Sequence, residues 1–293
     1  MRTTLRATDR RFSRTELLIG AAGLRRLSAA KVAIMGLGGV GSFTAEALAR
    51  SGIGHLVLVD YDDICVTNVN RQLHALSDTV GRAKVDVMAE RLRKINPRLV
   101  VEARRVFYSA ENGEELLTAD LDYVVDAIDH VTAKLDLIRR SLGKGLRLVS
   151  CMGAGNRLDP TRFAVADISK TYGDPLARVI RQELRRSGIT KGLKVVFSTE
   201  PPLPTQATQW DCRTGCVCPN KDDGAWKCTM RRTIPGSIAF VPSAAGLILA
   251  SVVVNDLLQD LPEAVRTGFS EAGLPEAGER GVAPSAGQAS KAE

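Results

Sequence analysis

The stretch Val32-Ala33-Ile34-Met35-Gly36-Leu37-Gly38-Gly39-Val40-Gly41-Ser42 constrains this chain more than any other. An apolar run ends in four glycines within six residues, and Ala45-Glu46-Ala47-Leu48-Ala49-Arg50 comes next with the spacing of a helix. A buried strand, a tight turn and a helix N-terminus satisfy that pattern, and free backbone N–H groups at such a terminus receive phosphate. One glycine serves the turn, a second lets a phosphate approach closely, and a third lets helix and strand pack. A second apolar run, His55 to Val59, ends at Asp60, 24 residues after Gly36, where an acid that binds ribose is expected. The bland alternative is a strand–helix turn without a ligand. Four glycines argue against it.

The surrounding composition is that of an ordinary globular protein. Of 293 residues, 44% are hydrophobic and 25% charged, which suits one large α/β domain or two modest ones without disulfide staples. The start, Met1-Arg2-Thr3-Thr4-Leu5-Arg6, is polar and basic and lacks the apolar core of a signal peptide. The longest apolar block, Ala244 to Val254, is short for a membrane span. A cytoplasmic protein with no membrane partner is therefore expected. Its six cysteines are read as metal ligands, nucleophiles or buried thiols rather than disulfides. The net charge of +7 suits a polyanion such as nucleic acid, although basic metabolic enzymes share it.

Strands and helices alternate over residues 32–153, with helices expected at 83–95 and 133–142 and strands at 99–106, 123–128 and 146–152. Such alternation predicts an α/β, Rossmann-like fold, a mainly parallel sheet with helices on both faces, plus a smaller C-terminal substrate-binding portion. The expected organisation is an N-terminal helical arm (1–30), a nucleotide-binding core (31–160), a substrate-binding portion (161–265) and a disordered tail (266–293). In the second half, strands at 163–168 and 195–198 flank a basic helix, Pro175 to Arg186. A last strand is expected at 238–241, then a buried apolar helix from Ala244 to Leu258.

An NAD-dependent dehydrogenase fits the glycines and Asp60 equally well. The residues beyond Asp60 argue for a triphosphate instead. Asn68, Arg71, Gln72 and Lys84 lie within 25 residues of it and can converge on the crevice at the strand ends. Arg71 and Lys84 bring two cations, which triphosphate chemistry needs on its transferring or leaving phosphates. Taken singly, either could be a surface charge. Asp129, at the end of its strand, is placed for Mg2+ or ribose. It is preferred to Asp126, which reads as a sheet residue.

With these residues in order, the chain resembles the ubiquitin-activating-enzyme-like adenylation superfamily. The resemblance rests on Gly36-x-Gly38-Gly39-x-Gly41-Ser42, Asp60-x-Asp62, Asn68-x-x-Arg71-Gln72, Lys84 and Ala127-Ile128-Asp129, within residues 10–155. It implies ATP and Mg2+, an oxygen nucleophile attacking the α-phosphate, and an AMP-activated intermediate. It also implies a homodimer in which an N-terminal arginine reaches the partner's ATP, the position that Arg14 matches. Further on, Lys170-Thr171-x-x-Asp174-Pro175-Leu176-Ala177, Phe197-Ser198-Thr199-Glu200 and Pro235-Gly236-Ser237-Ile238-Ala239-Phe240-Val241-Pro242 are similar to the tRNA threonylcarbamoyladenosine dehydratases. That branch activates the side-chain carboxylate of threonylcarbamoyladenosine beside the anticodon, at tRNA position 37, and closes it to a cyclic form. Six bases and one acid between Arg178 and Lys194 suit tRNA phosphates, or else a plain solvated helix.

Cys212, Cys216, Cys218 and Cys228 have the spacing C-x3-C-x-C-x9-C. Four thiolates in a short loop suit tetrahedral Zn2+, although the usual paired C-x2-C is missing. A thiol nucleophile, or plain loop thiols, remain open. Two other readings accompany the adenylating tRNA enzyme: a sulfur-carrier adenylyltransferase of the thiamine or molybdopterin type, and a non-catalytic redox sensor. Each would add a sulfur-delivery or redox partner.

Overall fold

The computed structural model describes residues 10–206 and 235–261. Five strands come from the first half: β1 (Lys31–Met35), β2 (His55–Val59), β3 (Val100–Arg104), β4 (Tyr123–Asp126) and β5 (Leu148–Cys151). Two more, β6 (Phe163–Asp167) and β7 (Lys194–Ser198), extend the same sheet, in the order β3-β2-β1-β4-β5-β7-β6. All pairs are parallel except β6 with β7. The mainly parallel α/β sheet expected from the sequence is what forms.

Alternation along β1 shows why both faces must be covered. Val32 and Ile34 join one core cluster, while Ala33 and Met35 join the other, because successive side chains leave a strand on opposite faces. Helices α1 (Ser13–Ala29), α2 (Gly41–Ser51) and α3 (Lys84–Ile95) cover the first face. A single turn, α4 (Gly113–Leu116), and helices α5 (Val131–Gly143) and α6 (Pro175–Arg186) cover the second. The N-terminal helix bends at Gly20, whose φ of 64° and ψ of 172° lie outside the helical region.

The last helix, α7 (Phe240–Leu258), packs on α2 at backbone distance. A Cβ at Gly246 would stand 2.3 Å from the carbonyl oxygen of Val40, and Thr44 Oγ1 donates to the Gly246 carbonyl at 3.0 Å. The strand expected at 238–241 is absent; Phe240 and Val241 are instead the first turn of α7. Pro242 explains the difference, because its missing N–H costs nothing in a first helical turn. By length and composition α7 could cross a membrane, which the shorter apolar block had not suggested. Half of its apolar stretch is buried within this protein, with Val241, Ala245, Leu249, Val253 and Leu257 wholly enclosed.

Candidate active site

The chain leaves β1 for one flank of the sheet and returns to β4 on the other, which opens a crevice beyond the carboxyl ends of those two strands. The glycine turn sits at its mouth. Gly36 has φ 93°, and a Cβ there would meet the Ala127 carbonyl oxygen at 2.8 Å. Gly41 opens α2 so close to β1 that a Cβ would lie 1.8 Å from the Gly36 carbonyl oxygen. Gly39 is hemmed in by Pro242 and the Arg71 carbonyl oxygen. Around Gly38 the space is open: its nearest neighbour would be Gln72 Nε2 at 4.0 Å. Turn and packing thus fall to Gly36 and Gly41, and Gly38 is the glycine with open space beside it.

Asp60 is buried behind this turn. Its Oδ2 accepts the Leu37 N–H at 2.7 Å and its Oδ1 accepts the Asp62 N–H at 2.9 Å. Lys84, the first residue of α3 and only 4% exposed, donates from Nζ to Asp62 Oδ2 at 2.7 Å and stands 3.9 Å from Asp60 Oδ1. Burial alone would lower the lysine pKa, but Asp60 and Asp62, with a smaller contribution from Asp129, outweigh it and hold it above the ordinary value. A permanent cation is therefore fixed at the crevice. Its side chain cannot leave without stranding two carboxylates.

The segment after Asp60 is the ordered loop expected, with one 3-10 turn at Val66–Asn68. Asn68 Oδ1 closes that turn on the Cys65 N–H at 3.1 Å, and its carbonyl accepts from Arg71 and Gln72. Arg71 donates from Nη1 to the Thr67 carbonyl at 2.8 Å and to Asn70 Oδ1 at 3.0 Å. Gln72 is buried, and its Oε1 finds no hydrogen-bond partner among the described residues. Asp129 is exposed at the start of α5, beside a chain of edge-on rings: Tyr61 on Phe107 at 5.1 Å, and Phe107 on His130 at 5.7 Å. The fold thus brings the glycines, Asp60, Asp62, Asn68, Arg71, Gln72, Lys84 and Asp129 to one edge. Arg14 is not drawn in; it lies exposed in the first turn of α1. Cys212, Cys216, Cys218 and Cys228 lie outside the described residues. The remaining thiols, Cys65 and Cys151, are buried and outside any disulfide, and burial pushes Cys151 up to about 12.

An open glycine beside a fixed ammonium, with a buried amide oxygen that has no partner among the described residues, fits a nucleoside triphosphate. Residues 12–284 match the ThiF family.

The chain belongs to the ThiF family.

It is 50% identical over 252 residues to the tRNA threonylcarbamoyladenosine dehydratase of Bacillus subtilis (strain 168), covering 85% of this chain and 95% of that one. Against the protein so named in Escherichia coli (strain K12), identity is 42% over 216 residues, or 73% and 81% of the two chains. The crystal structure of the E. coli dehydratase in complex with ATP superposes with a TM-score of 0.74 at 35% identity, covering 91% of this chain and all of that one.

Sequence reasoning missed one feature of this family member. Asp126 is a strand residue, as expected, but it is wholly buried and ion-paired with an equally buried Lys134 on α5. A signal was present: Lys134 falls on the apolar stripe made by Ala133, Leu137 and Ile138.

Proposed function

We propose that this chain is an ATP-dependent dehydratase acting on N6-threonylcarbamoyladenosine at position 37 of tRNA. The observation that carries the reading is Lys84, held charged by Asp60 and Asp62 beside the open turn at Gly38. In the first step a carboxylate oxygen of the threonyl group attacks the α-phosphorus of ATP, the α–β P–O bond breaks and pyrophosphate leaves. In the second, a heteroatom of the carbamoyl group attacks the activated carbonyl, the C–O bond to AMP breaks, and a proton is lost as the ring closes. The balance is one water removed from the nucleoside.

Lys84 and Arg71 offset charge on the phosphates, Asp60 and Gln72 face the ribose, and the first turn of α2 presents N–H groups to phosphate. Mg2+, when bound, would neutralise phosphate charge, and Asp129 is the carboxylate placed to hold it. Among the described residues no group of three His, Cys, Asp or Glu side chains forms a cage.

The reading includes a cytoplasmic homodimer. Leu17 and Leu18 stand exposed next to Arg14 on α1, apolar surface that a partner subunit would cover as Arg14 reached the partner's site. It also includes one zinc ion on Cys212, Cys216, Cys218 and Cys228. Purified protein holding less than about 0.2 zinc per chain, against the one expected of a closed site, would remove that element. The sulfur-carrier and redox-sensor readings are not favoured, since the relatives matched over most of the chain carry the dehydratase name. The deciding experiment incubates purified protein with ATP and tRNA bearing the modified nucleoside. Mass analysis of the nucleosides should show loss of one water, with AMP and pyrophosphate in equal amounts.

A further inference from the structure

The basic helix α6 does not face the active edge along its whole length. Its N-cap, Asp174, accepts the Gly153 N–H just beyond β5 at 3.0 Å, so the helix begins at the edge that carries the glycine turn. It then runs back along the sheet, and the chain re-enters β7 from the far side. Twelve helical residues span about 18 Å. Arg185 and Arg186 at its end are therefore remote from the site, and Arg178 in its first turns is near it.

At the same edge, two residues before the N-cap of α6, stands an exposed aromatic ring. Tyr172 is 66% exposed, although the backbone on both sides of it is tightly held. Thr171 is buried; its Oγ1 donates to the Ile168 carbonyl at 2.8 Å, and Arg181 Nη1 donates to the Thr171 carbonyl at 2.9 Å. Gly173, at φ 73°, backs onto the Thr199 carbonyl, where a Cβ would lie at 3.3 Å. Asp174 is fixed by Gly153 and by the Ala177 N–H at 3.0 Å. The tyrosine ring rests edge-on against Phe197 at 5.8 Å and 74°. Arg162, exposed, reaches the same corner and donates from Nε to Thr199 Oγ1 at 3.1 Å. A lone exposed apolar side chain needs no explanation. A ring mounted this firmly, with Arg162 bound to the residue that backs its loop and Arg178 in the first turns of the helix that follows, three strand positions from the glycine turn, does. At about 4.8 Å per strand that is about 14 Å.

We infer that Tyr172 is a stacking platform for an unpaired base of the anticodon loop next to the modified adenosine, with Arg162 and Arg178 on the adjoining phosphates. Sequence-tolerant recognition of single-stranded RNA relies on this combination of an aromatic face and flanking cations. Folding has already fixed the ring, so little conformational freedom is lost when a base stacks on it. Arg181, which counts as one of the basic residues by composition, acts instead as a brace for the segment that carries the ring.

The inference rests on the tRNA reading above, and one set of measurements separates the two. Steady-state kinetics with modified tRNA and ATP are compared for the parent protein and for Tyr172→Ala, Tyr172→Phe and Tyr172→Trp, with melting temperatures as a folding control. Tyr172→Ala should raise KM for tRNA by about 10-fold or more, given roughly 1–3 kcal/mol per stacked base. KM for ATP and kcat at saturating tRNA should stay unchanged. Phe and Trp should hold KM for tRNA within about twofold, since both retain a stacking face. Arg162→Gln and Arg178→Gln should each lower the salt dependence of tRNA binding by about one charge, while Arg185→Gln should not. An alanine variant within about twofold of the parent, below the effect of one stacked base, overturns the platform. So does a phenylalanine variant as impaired as alanine. A parent protein that turns over no tRNA, but is stimulated by a small sulfur-carrier protein, overturns the tRNA reading and the platform with it.

Discussion

Lys134 Nζ lies 2.7 Å from Asp126 Oδ2, and neither side chain has any exposure. Ser150 Oγ donates to the same carboxylate oxygen at 2.6 Å, and Lys134 donates further to Ser150 Oγ at 3.2 Å and to the Cys151 carbonyl at 2.9 Å. The other oxygen, Asp126 Oδ1, accepts the Ile128 N–H at 3.1 Å. The ends of β4 and β5 and the body of α5 therefore meet on one charge pair at the root of the loop that bears Asp129. Removing one buried partner strands the other, at a cost of about 3–5 kcal/mol. Lys134→Met should lose that much in urea denaturation. The double variant Lys134→Met with Asp126→Leu should recover much of it. A single variant within about 1 kcal/mol of the parent, well under the cost of a stranded charge, would show that water reaches the pair.

Two glycines of the same motif should behave oppositely. Gly41→Ala forces a methyl to within 1.8 Å of the Gly36 carbonyl oxygen. That overpacks backbone against backbone, and about 3 kcal/mol or more of stability should go. Gly38→Ala meets nothing nearer than 4.0 Å and should fold normally. Its methyl would stand where phosphate approaches, so KM for ATP should rise about 10-fold, equivalent to roughly 1.4 kcal/mol. Melting temperature and an ATP titration, run on both variants, separate the two effects.

Losing a charge that stabilises the transition state costs on the order of 10²-fold or more. Asp129→Ala, Arg71→Ala and Lys84→Ala should each suppress AMP formation by that factor. Arg14→Ala should do so only if the arginine crosses to a partner subunit. Mixing inactive Arg14→Ala with inactive Lys84→Ala protein should then restore turnover, because one site of each hybrid dimer regains both cations. No recovery, with subunit exchange demonstrated, returns Arg14 to the surface of its own subunit.

His74 gives the fold an acid limit. It is buried, neither ring nitrogen finds a partner among the described residues, and burial, aided by Lys84 and Arg91, pushes it down to about 3. The unfolded chain binds a proton near the ordinary histidine value of about 6.5. Between these values the unfolded state holds more protons, so stability falls as pH drops below about 6.5 and levels off near 3. His74→Phe should flatten that part of the stability–pH curve. An unchanged slope in chemical denaturation between about pH 6.5 and 4, the upper part of that window, would assign the acid sensitivity elsewhere.

Much of the fold was legible from spacing. Glycines at fixed intervals, an acid at the end of the next strand, and apolar runs without alternation are local signals of a buried parallel sheet, and β1, β2 and α2 formed where those signals lay. The place of Lys134 on an apolar stripe was a local signal, but its pairing with Asp126 depends on the packing of α5 against β4 and β5. The strand expected at 238–241 failed because Ile238 to Val241 looks extended, while Pro242 makes a good first helical turn. The basic helix was visible as composition. Which of its arginines reach the site depends on the direction of a crossover, and that lives in the topology.

Asn156 is the one described non-glycine residue in the left-handed region, at φ 58°. Its N–H donates to the Gly236 carbonyl at 2.8 Å, its carbonyl accepts from Leu203 at 2.7 Å, and its Oδ1 accepts the Gly236 N–H at 2.6 Å. A single residue thereby ties together two points of the chain 33 residues apart. Because Asn156 holds Leu203 and Gly236 by hydrogen bonds of its own, the places of both are set from the loop that follows β5. Asn156 acts as a coupling flange between the edge of the sheet and the approach to α7.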